Sequence, residues 1–348
     1  MQQWLKEVAR GQKGSKDLDY QTTIALADQI FSGEATDSQI AAYLVAERIK
    51  TESADELLAF IHTLKNHSVR LDISEHIKEK LIDFAGPYNG RNSFAATIPV
   101  SLLLADQGIP VFLSASDTLP PKYGTSLKSI MIALGVDVTI TGEKVKNSIE
   151  EELFGFVDTE NYSKPLKAVR HIREEIGVRT LFNTVEKLVN LSKAKNVMLG
   201  AFHRTAINKL NDVFKQLNYN HVYIVQGLEG SEDVPVHRNS FVFDWTPTNL
   251  ASFTVKPKEY GLECKEYDKS KRLSAKEQAD IIRSILAGEM KSEYTYYYNQ
   301  IVLNAGLRYY LFHHTNTIKQ GIAIAKEQLE SGKGLVTLEA IIKNKCRK

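Results

Sequence analysis

The spacing of apolar positions along this chain changes character near residue 78. Before that point it is helical. Ala25, Leu26, Ile30 and Phe31 share a face, and Gly33 follows as a stop. Thr36-Asp37-Ser38-Gln39 opens a second run through Ile40, Tyr43, Leu44, Ala46 and Ile49. Ser53 opens a third, with Glu56 three residues on at capping-box spacing, through Leu57, Leu58, Phe60 and Ile61. No strand pattern interrupts residues 1–77.

From residue 78 short apolar runs alternate with helical ones. Leu81 to Phe84 reads as a strand that ends in the turn Gly86-Pro87-Tyr88-Asn89-Gly90. A helix over about Thr97 to Asp106 follows, Gly108 breaks it, and Ile109 to Leu113 reads as the next strand. Ile130 to Gly135 ends a further helix. Asn196 to Gly200 and His221 to Gly227 are continuous apolar runs bounded by glycine, with a helix over about Thr205 to Leu217 between them. Parallel strands look like this because helices cover both faces of their sheet. Ser240 to Asp244 and Ala251 to Lys256 suit a further strand pair, and from Ser274 onward the pattern is helical. The expectation is α/β: a small all-helical domain plus a larger α/β domain with a mainly parallel sheet.

The length of 348 residues suits two domains of roughly 150 residues each. Hydrophobic residues at 43% and charged ones at 25% exclude a disordered, collagenous or rod-like chain. Forty-four basic against 42 acidic residues leave +2, so a nucleic-acid surface would have to come from local clustering. Cys264 and Cys346 form no CxxC pattern and fit a reducing compartment. The first residues carry no apolar signal core, and no stretch approaches the ~20 apolar residues of a membrane helix. A cytoplasmic protein with no membrane partner is expected.

Three segments carry candidate chemistry. Gly86 to Ser93 lies between a strand and a helix, where α/β proteins bind phosphates. It lacks the GxGxxG and GxxxxGK[ST] spacings, so a plain turn and an anion-contacting loop both remain open. Its candidates are Gly86, Asn89, Gly90, Asn92 and Ser93. Glu229-Gly230-Ser231-Glu232-Asp233 follows a strand, where carboxylates can hold a hard cation or form a solvated loop. Arg170, Arg173 and Arg179 crowd one segment, suited either to anions or to a salt-bridged face with Glu174 and Glu175. The nine histidines form no HExxH or HxH pattern, and no GxSxG is present.

Several segments together resemble the anthranilate phosphoribosyltransferases of glycosyltransferase family 3. Ser32 to Thr36 followed by Gln39 to Leu44 is similar to that family's helical domain. Ile176-Gly177-Val178-Arg179-Thr180-Leu181-Phe182-Asn183 resembles its LGxRTxFN segment, and Val225 to Asp233 its acidic metal-binding loop. Val302-Leu303-Asn304-Ala305 and Ser331-Gly332-Lys333 resemble its C-terminal helices. The resemblance implies a type-3 glycosyltransferase or nucleoside-phosphorylase-like fold. Residues 1–77 would form the helical domain with 164–191 packed on it, and 78–163 with 192–348 the α/β domain. It also implies a homodimer through the helical domain.

The same resemblance exposes departures. The family's GTGGD loop stands here as Gly86-Pro87-Tyr88-Asn89-Gly90, and its KHGNR segment as Leu113-Ser114-Ala115-Ser116-Asp117. Its acidic pair appears as Glu232-Asp233, its anthranilate-contacting arginine aligns with Arg173, and a neighbouring histidine becomes Ser163. Gln226-Gly227-x-Glu229-Gly230-Ser231 and Pro120-Pro121-Lys122-Tyr123-Gly124 resemble instead a divergent second branch of the family, whose members are implicated in nucleic-acid binding. The favoured expectation is therefore a non-catalytic nucleic-acid-binding homologue with a decayed phosphoribosyl-pyrophosphate loop. Lys13, Lys16, Lys122, Arg173 and Arg179 would contact phosphates, and no cofactor would be needed. The alternative is an active phosphoribosyltransferase: Mg²⁺ on Glu232 and Asp233 would neutralise pyrophosphate, and Arg173, with Arg179, would hold an aromatic acid such as anthranilate.

Overall fold

The computed structural model describes residues 1–11, 13–86, 90–200, 204–266, 268 and 271–343, and the backbone alone across 204–209. Four helices open the chain: Gln2–Val8, Tyr20–Phe31, Asp37–Lys50 and Ala54–Asn66. Their starts follow local chemistry. The Thr22 N–H donates to the Asp19 carboxylate at 2.9 Å. Thr36 with Gln39 and Ser53 with Glu56 each close a capping box, a device typically worth about 1 kcal/mol.

Aromatic rings join these helices to a later stretch. Phe60 stacks on Tyr43 with ring centres 5.9 Å apart, and meets Phe182 edge-on at 5.9 Å. Phe182 belongs to the short helix Phe182–Val185, and its neighbours Leu166, Ile172, Val185 and Leu188 share the core of the opening helices.

The sheet has seven strands: β1 (Ile82–Ala85), β2 (Val111–Ala115), β3 (Phe154–Asp158), β4 (Asn196–Gly200), β5 (His221–Val225), β6 (Ser240–Thr246) and β7 (Asn249–Val255). Their spatial order is β3-β2-β1-β4-β5-β6-β7. The first five run parallel, and β6 and β7 add an antiparallel hairpin at one edge. Phe84, Leu113, Met198 and Tyr223 face the helices Thr97–Asp106, Ala275–Leu286 and Thr295–Leu311. Phe112, Val197, Leu199, Ile224 and Trp245 face the other core, which reaches the opening helices. Both faces are buried, which is why the strands are continuous apolar runs. The expected architecture, a helical domain plus a larger, mostly parallel α/β domain, is present.

The helix Gly142–Glu151 and β3 stand outside the expected elements. Gly155 accounts for the second. A glycine inside Phe154-Gly155-Phe156 weakens a strand pattern, yet it is needed here. A Cβ on Gly155 would stand 2.5 Å from the Ile149 side chain and 3.0 Å from the Phe112 ring. The missing side chain lets that helix lie directly on the strand. Among the described residues, no helix is long and apolar enough to cross a membrane.

Candidate functional site

The parallel strands end side by side, Ala85 opposite Leu199 and Gly200 opposite Val225. The loop after β5 folds back over these ends. Gly200 and Gly227 both press against the Ser231 main chain, where a Cβ at either position would collide. That approach brings Glu229, Glu232 and Asp233 to the turn after β1 and to the start of the helix Thr97–Asp106.

Glu229 occupies the turn. Its Oε2 accepts from Asn92 N–H at 2.8 Å, Ser93 N–H at 3.0 Å and Ser93 Oγ at 3.0 Å, and its Oε1 from Asn92 Nδ2 at 3.3 Å. Lys122 Nζ donates to the Glu229 carbonyl at 2.7 Å and lies 3.8 Å from Oε1. Burial works against the Glu229 charge, but the Ser93, Lys122 and Asn92 contacts outweigh it and hold the carboxyl below its ordinary range. Lys122 is pushed down to about 8 by burial, opposed by Glu229 and reinforced by Arg179, Lys187 and Arg91. Asn92 and Ser93 at the end of the turn therefore contact an anion, and the anion is the chain's own. Gly86 spends its N–H on Phe84 O at 2.9 Å. Gly90 takes a positive φ of 76° against Gly124. Pro87, Tyr88 and Asn89 lie outside the described residues.

Asp233 is fully buried between two guanidiniums, with Arg91 Nη2 2.8 Å from Oδ2 and Arg308 Nη2 2.8 Å from Oδ1. The Thr97 N–H adds a third donor at 3.1 Å. Glu232 differs: it is equally buried, yet neither carboxylate oxygen has a hydrogen-bond partner. Lys187 and Arg308 are its charged neighbours, and Lys187 Nζ donates to Gly200 O and Gly230 O, each at 3.3 Å.

The expected metal pair is thus split. Glu232 offers two open oxygens, whereas both Asp233 oxygens are committed to arginine. Magnesium could take Asp233 only by stripping two buried guanidiniums of their counter-charge. As built, the pair does not fit the ion. No group of three or more acidic, histidine or cysteine ligands occurs among the described residues.

The arginine segment also differs from expectation. Arg173 is buried and faces Glu186 Oε2 at 2.7 Å, so its charge is matched within the fold. Glu186, Lys187, Gly86, Asp83, Ser114 and Asn190 line one small cavity of about 10 Å³ beside the turn, room for about one water. Arg173 therefore reaches the site through Glu186. Arg179 is half-buried, close enough to Lys122 and Lys187 to lower both. Ser163 accepts from Ser68 Oγ at 2.9 Å. Lys13 and Lys16 are exposed far along the chain from this cleft, and Lys16 sits 3.7 Å from Glu7.

Two family models match the chain in succession: residues 2–68 a glycosyl transferase family helical bundle domain, and residues 81–335 a glycosyl transferase family a/b domain. The chain belongs to this glycosyl transferase family. It is 26% identical over 344 residues to the anthranilate phosphoribosyltransferase of Thermoanaerobacter sp. (strain X514), covering 99% of each chain. It is 28% identical to that of Persephonella marina, covering 97% of this chain and 98% of the relative. The crystal structure of the Thermus thermophilus enzyme superposes with a TM-score of 0.81 at 24% identity, over 98% of each chain. The Saccharomyces cerevisiae enzyme in complex with PRPP and Mg gives 0.81 at 19%, over 99% of this chain and 97% of that one. At those identities the two structures establish the fold alone.

Arg91, Glu186, Lys187 and Arg308 escaped the sequence reading. One signal was present: Arg308 interrupts the apolar helix Thr295–Leu311, where a buried arginine requires a partner.

Proposed function

We propose that the chain is a phosphoribosyltransferase of the anthranilate type, acting at the carboxyl ends of β1, β4 and β5. The observation that carries this reading is the convergence of four Asn92 and Ser93 donors on one carboxylate. The same set suits phosphate oxygens. Full-length likeness to anthranilate phosphoribosyltransferases supports it. In this reading the donor's phosphates take the place of the Glu229 carboxylate, with Lys122 beside them. These groups stabilise the charge that develops on the departing pyrophosphate. Arg179, half-buried beside Lys122 and Lys187, meets the carboxylate of the aromatic acid in this reading. The test is loss of anthranilate fluorescence with phosphoribosyl pyrophosphate, in magnesium and in chelator. Turnover is expected; none with either aromatic acid or donor at saturation overturns the reading.

A second reading is a nucleic-acid-binding protein without transfer activity. It is favoured by the way Glu229, Asp233 and Glu186 pair Lys122, Arg91 and Arg173, cations around the strand ends, within the fold. Lys13, Lys16, Lys122 and Arg179 would then contact phosphates. Replacing Lys13 and Lys16 by glutamate should lower the log–log salt slope by about 1.8 on duplex. Fluorescence anisotropy at about 50 mM salt decides, since phosphate contacts are strong there; no binding removes this reading.

We also propose a homodimer through the helical domain. Val45 and Ile49 stand exposed beside Val8, Ala41 and Ala42 in an apolar hollow. A monomeric mass by light scattering at micromolar concentration would count against it.

A further inference from the structure

Glu229 sits in its place against two costs. Its backbone is left-handed, at φ 53° and ψ 22°, a region that L-residues other than asparagine and aspartate rarely hold without a local reason. Its carboxylate is also drawn out of water, with only 25% of the side chain exposed. What holds it is a set of donors on another part of the chain: the Asn92 and Ser93 amides, the Ser93 hydroxyl and the Asn92 side chain, with Lys122 alongside. Two adjacent amides and a hydroxyl gathered on one anionic oxygen form an oxyanion cradle. The remaining exposure leaves the side chain an exit to solvent. Asp233, by contrast, is enclosed and cannot leave without exposing Arg91 and Arg308.

We propose that Glu229 is a carboxylate latch: a resident anion that closes the Asn92–Ser93 cradle, and that a phosphate-bearing ligand must displace to bind. The inference rests on the reading of that turn as a phosphate site. It adds that the site is self-competed. Ligand and Glu229 exclude one another on the same donors, so apparent affinity is reduced by the fraction of molecules whose latch is closed. Removing the Glu229 charge should therefore strengthen anion binding. If Glu229 instead helped to hold the ligand, the same change would weaken it.

The probe is inorganic pyrophosphate, titrated by calorimetry into the full chain and into Glu229→Gln. The variant is expected to bind at least about tenfold more tightly, a gain of about 1.4 kcal/mol. Ser93→Ala in the Gln background should give back most of that gain. Equal affinity of wild type and Glu229→Gln, or weaker binding by the variant, overturns the latch. Should Glu229→Gln fail to fold by circular dichroism, Glu229→Asp decides on the same terms. It keeps the charge but is too short to reach both amides, so tighter binding than wild type supports the latch and equal binding overturns it. Turnover measured on the same proteins separates the two proposals. Tighter pyrophosphate binding without turnover keeps the latch and fails the transfer reading, whereas turnover with unchanged binding does the reverse.

Discussion

Asp233→Asn is the sharpest test of how this site is built. The substitution keeps the side chain's shape and an oxygen for the Thr97 N–H, but removes the charge shared by Arg91 and Arg308, each 2.8 Å away. Both arginines are buried, and Arg91 Nε and Nη1 with Arg308 Nε and Nη1 have no hydrogen-bond partner. Arg308 also lies 4.7 Å over the Phe84 ring, which holds the guanidinium in place but does not discharge it. Breaking one buried pair typically costs about 3–5 kcal/mol. With two guanidiniums depending on one acid, the expected loss is about 4–6 kcal/mol, a large share of a domain's roughly 5–15 kcal/mol. Arg308→Met should cost less, about 3 kcal/mol, because Asp233 keeps Arg91. The triple variant Arg91→Met/Asp233→Leu/Arg308→Met should recover part of the loss, since it removes the three charges of the bridge together and leaves buried Glu232 with Lys187 as its cation. Urea unfolding followed by Trp245 fluorescence reads the α/β domain, as that indole is buried there. A loss below about 1 kcal/mol for Asp233→Asn, or a triple variant no better than the single one, would refute the ion-pair account. So would wild-type stability that rises with magnesium and falls with chelator, because the account gives Asp233 no free oxygen for a metal.

Two further predictions concern stability. Burial pushes the Asp83 carboxyl up to about 7, with the Ser192 hydroxyl and Lys65 opposing. The folded chain keeps that proton where the unfolded chain has lost it, so stability should fall as pH rises from about 4 to about 7, by at most ~4 kcal/mol at 1.36 kcal/mol per unit. Asp83→Asn should flatten the dependence, read as a smaller loss of melting temperature between pH 5 and pH 8; equal losses in both proteins would refute it. Gly155→Val should cost about 2–4 kcal/mol, because its side chain must displace Ile149 and the Phe112 ring. A melting temperature within about 2 °C of wild type would show that the helix–strand contact has slack.

How far the sequence carried depended on whether the cause was local. The Ser53–Glu56 box, the helix beginning at Thr97 and the runs at Asn196 and His221 are set by residues adjacent in the chain, and they stand where the pattern places them. β3 escaped because its glycine is explained by Ile149 on a packed helix. At the site, residue types alone pointed to phosphate and metal chemistry, whereas Asn92 and Ser93 meet the chain's own Glu229. But Asn92 and Glu229 are 137 positions apart, and Asp233 and Arg308 are 75 apart. An acidic pair has the same pattern whether it faces a metal or two guanidiniums. That difference arises only when the helix Thr295–Leu311 packs on the sheet.

The pairings rank the acids of the cleft by how readily each can yield to a ligand. Asp233 has three donors and no exposure, so its departure leaves two buried cations unpaired. Glu186 holds Arg173 inside the protein. Glu232 has no hydrogen-bond partner to release, but it is enclosed, and Lys187 and Arg308 hold it electrostatically. Glu229 alone among these four combines a partly exposed side chain, a left-handed backbone and donors that an oxyanion can reuse. Moving its carboxylate would release the Asn92–Ser93 donors, while Lys122 keeps its hydrogen bond to the Glu229 carbonyl beside them. Of the four acids, the one in the loop after β5 that holds Asn92 and Ser93 is thus the least costly to move, and the enclosed Arg91–Asp233–Arg308 bridge the most costly.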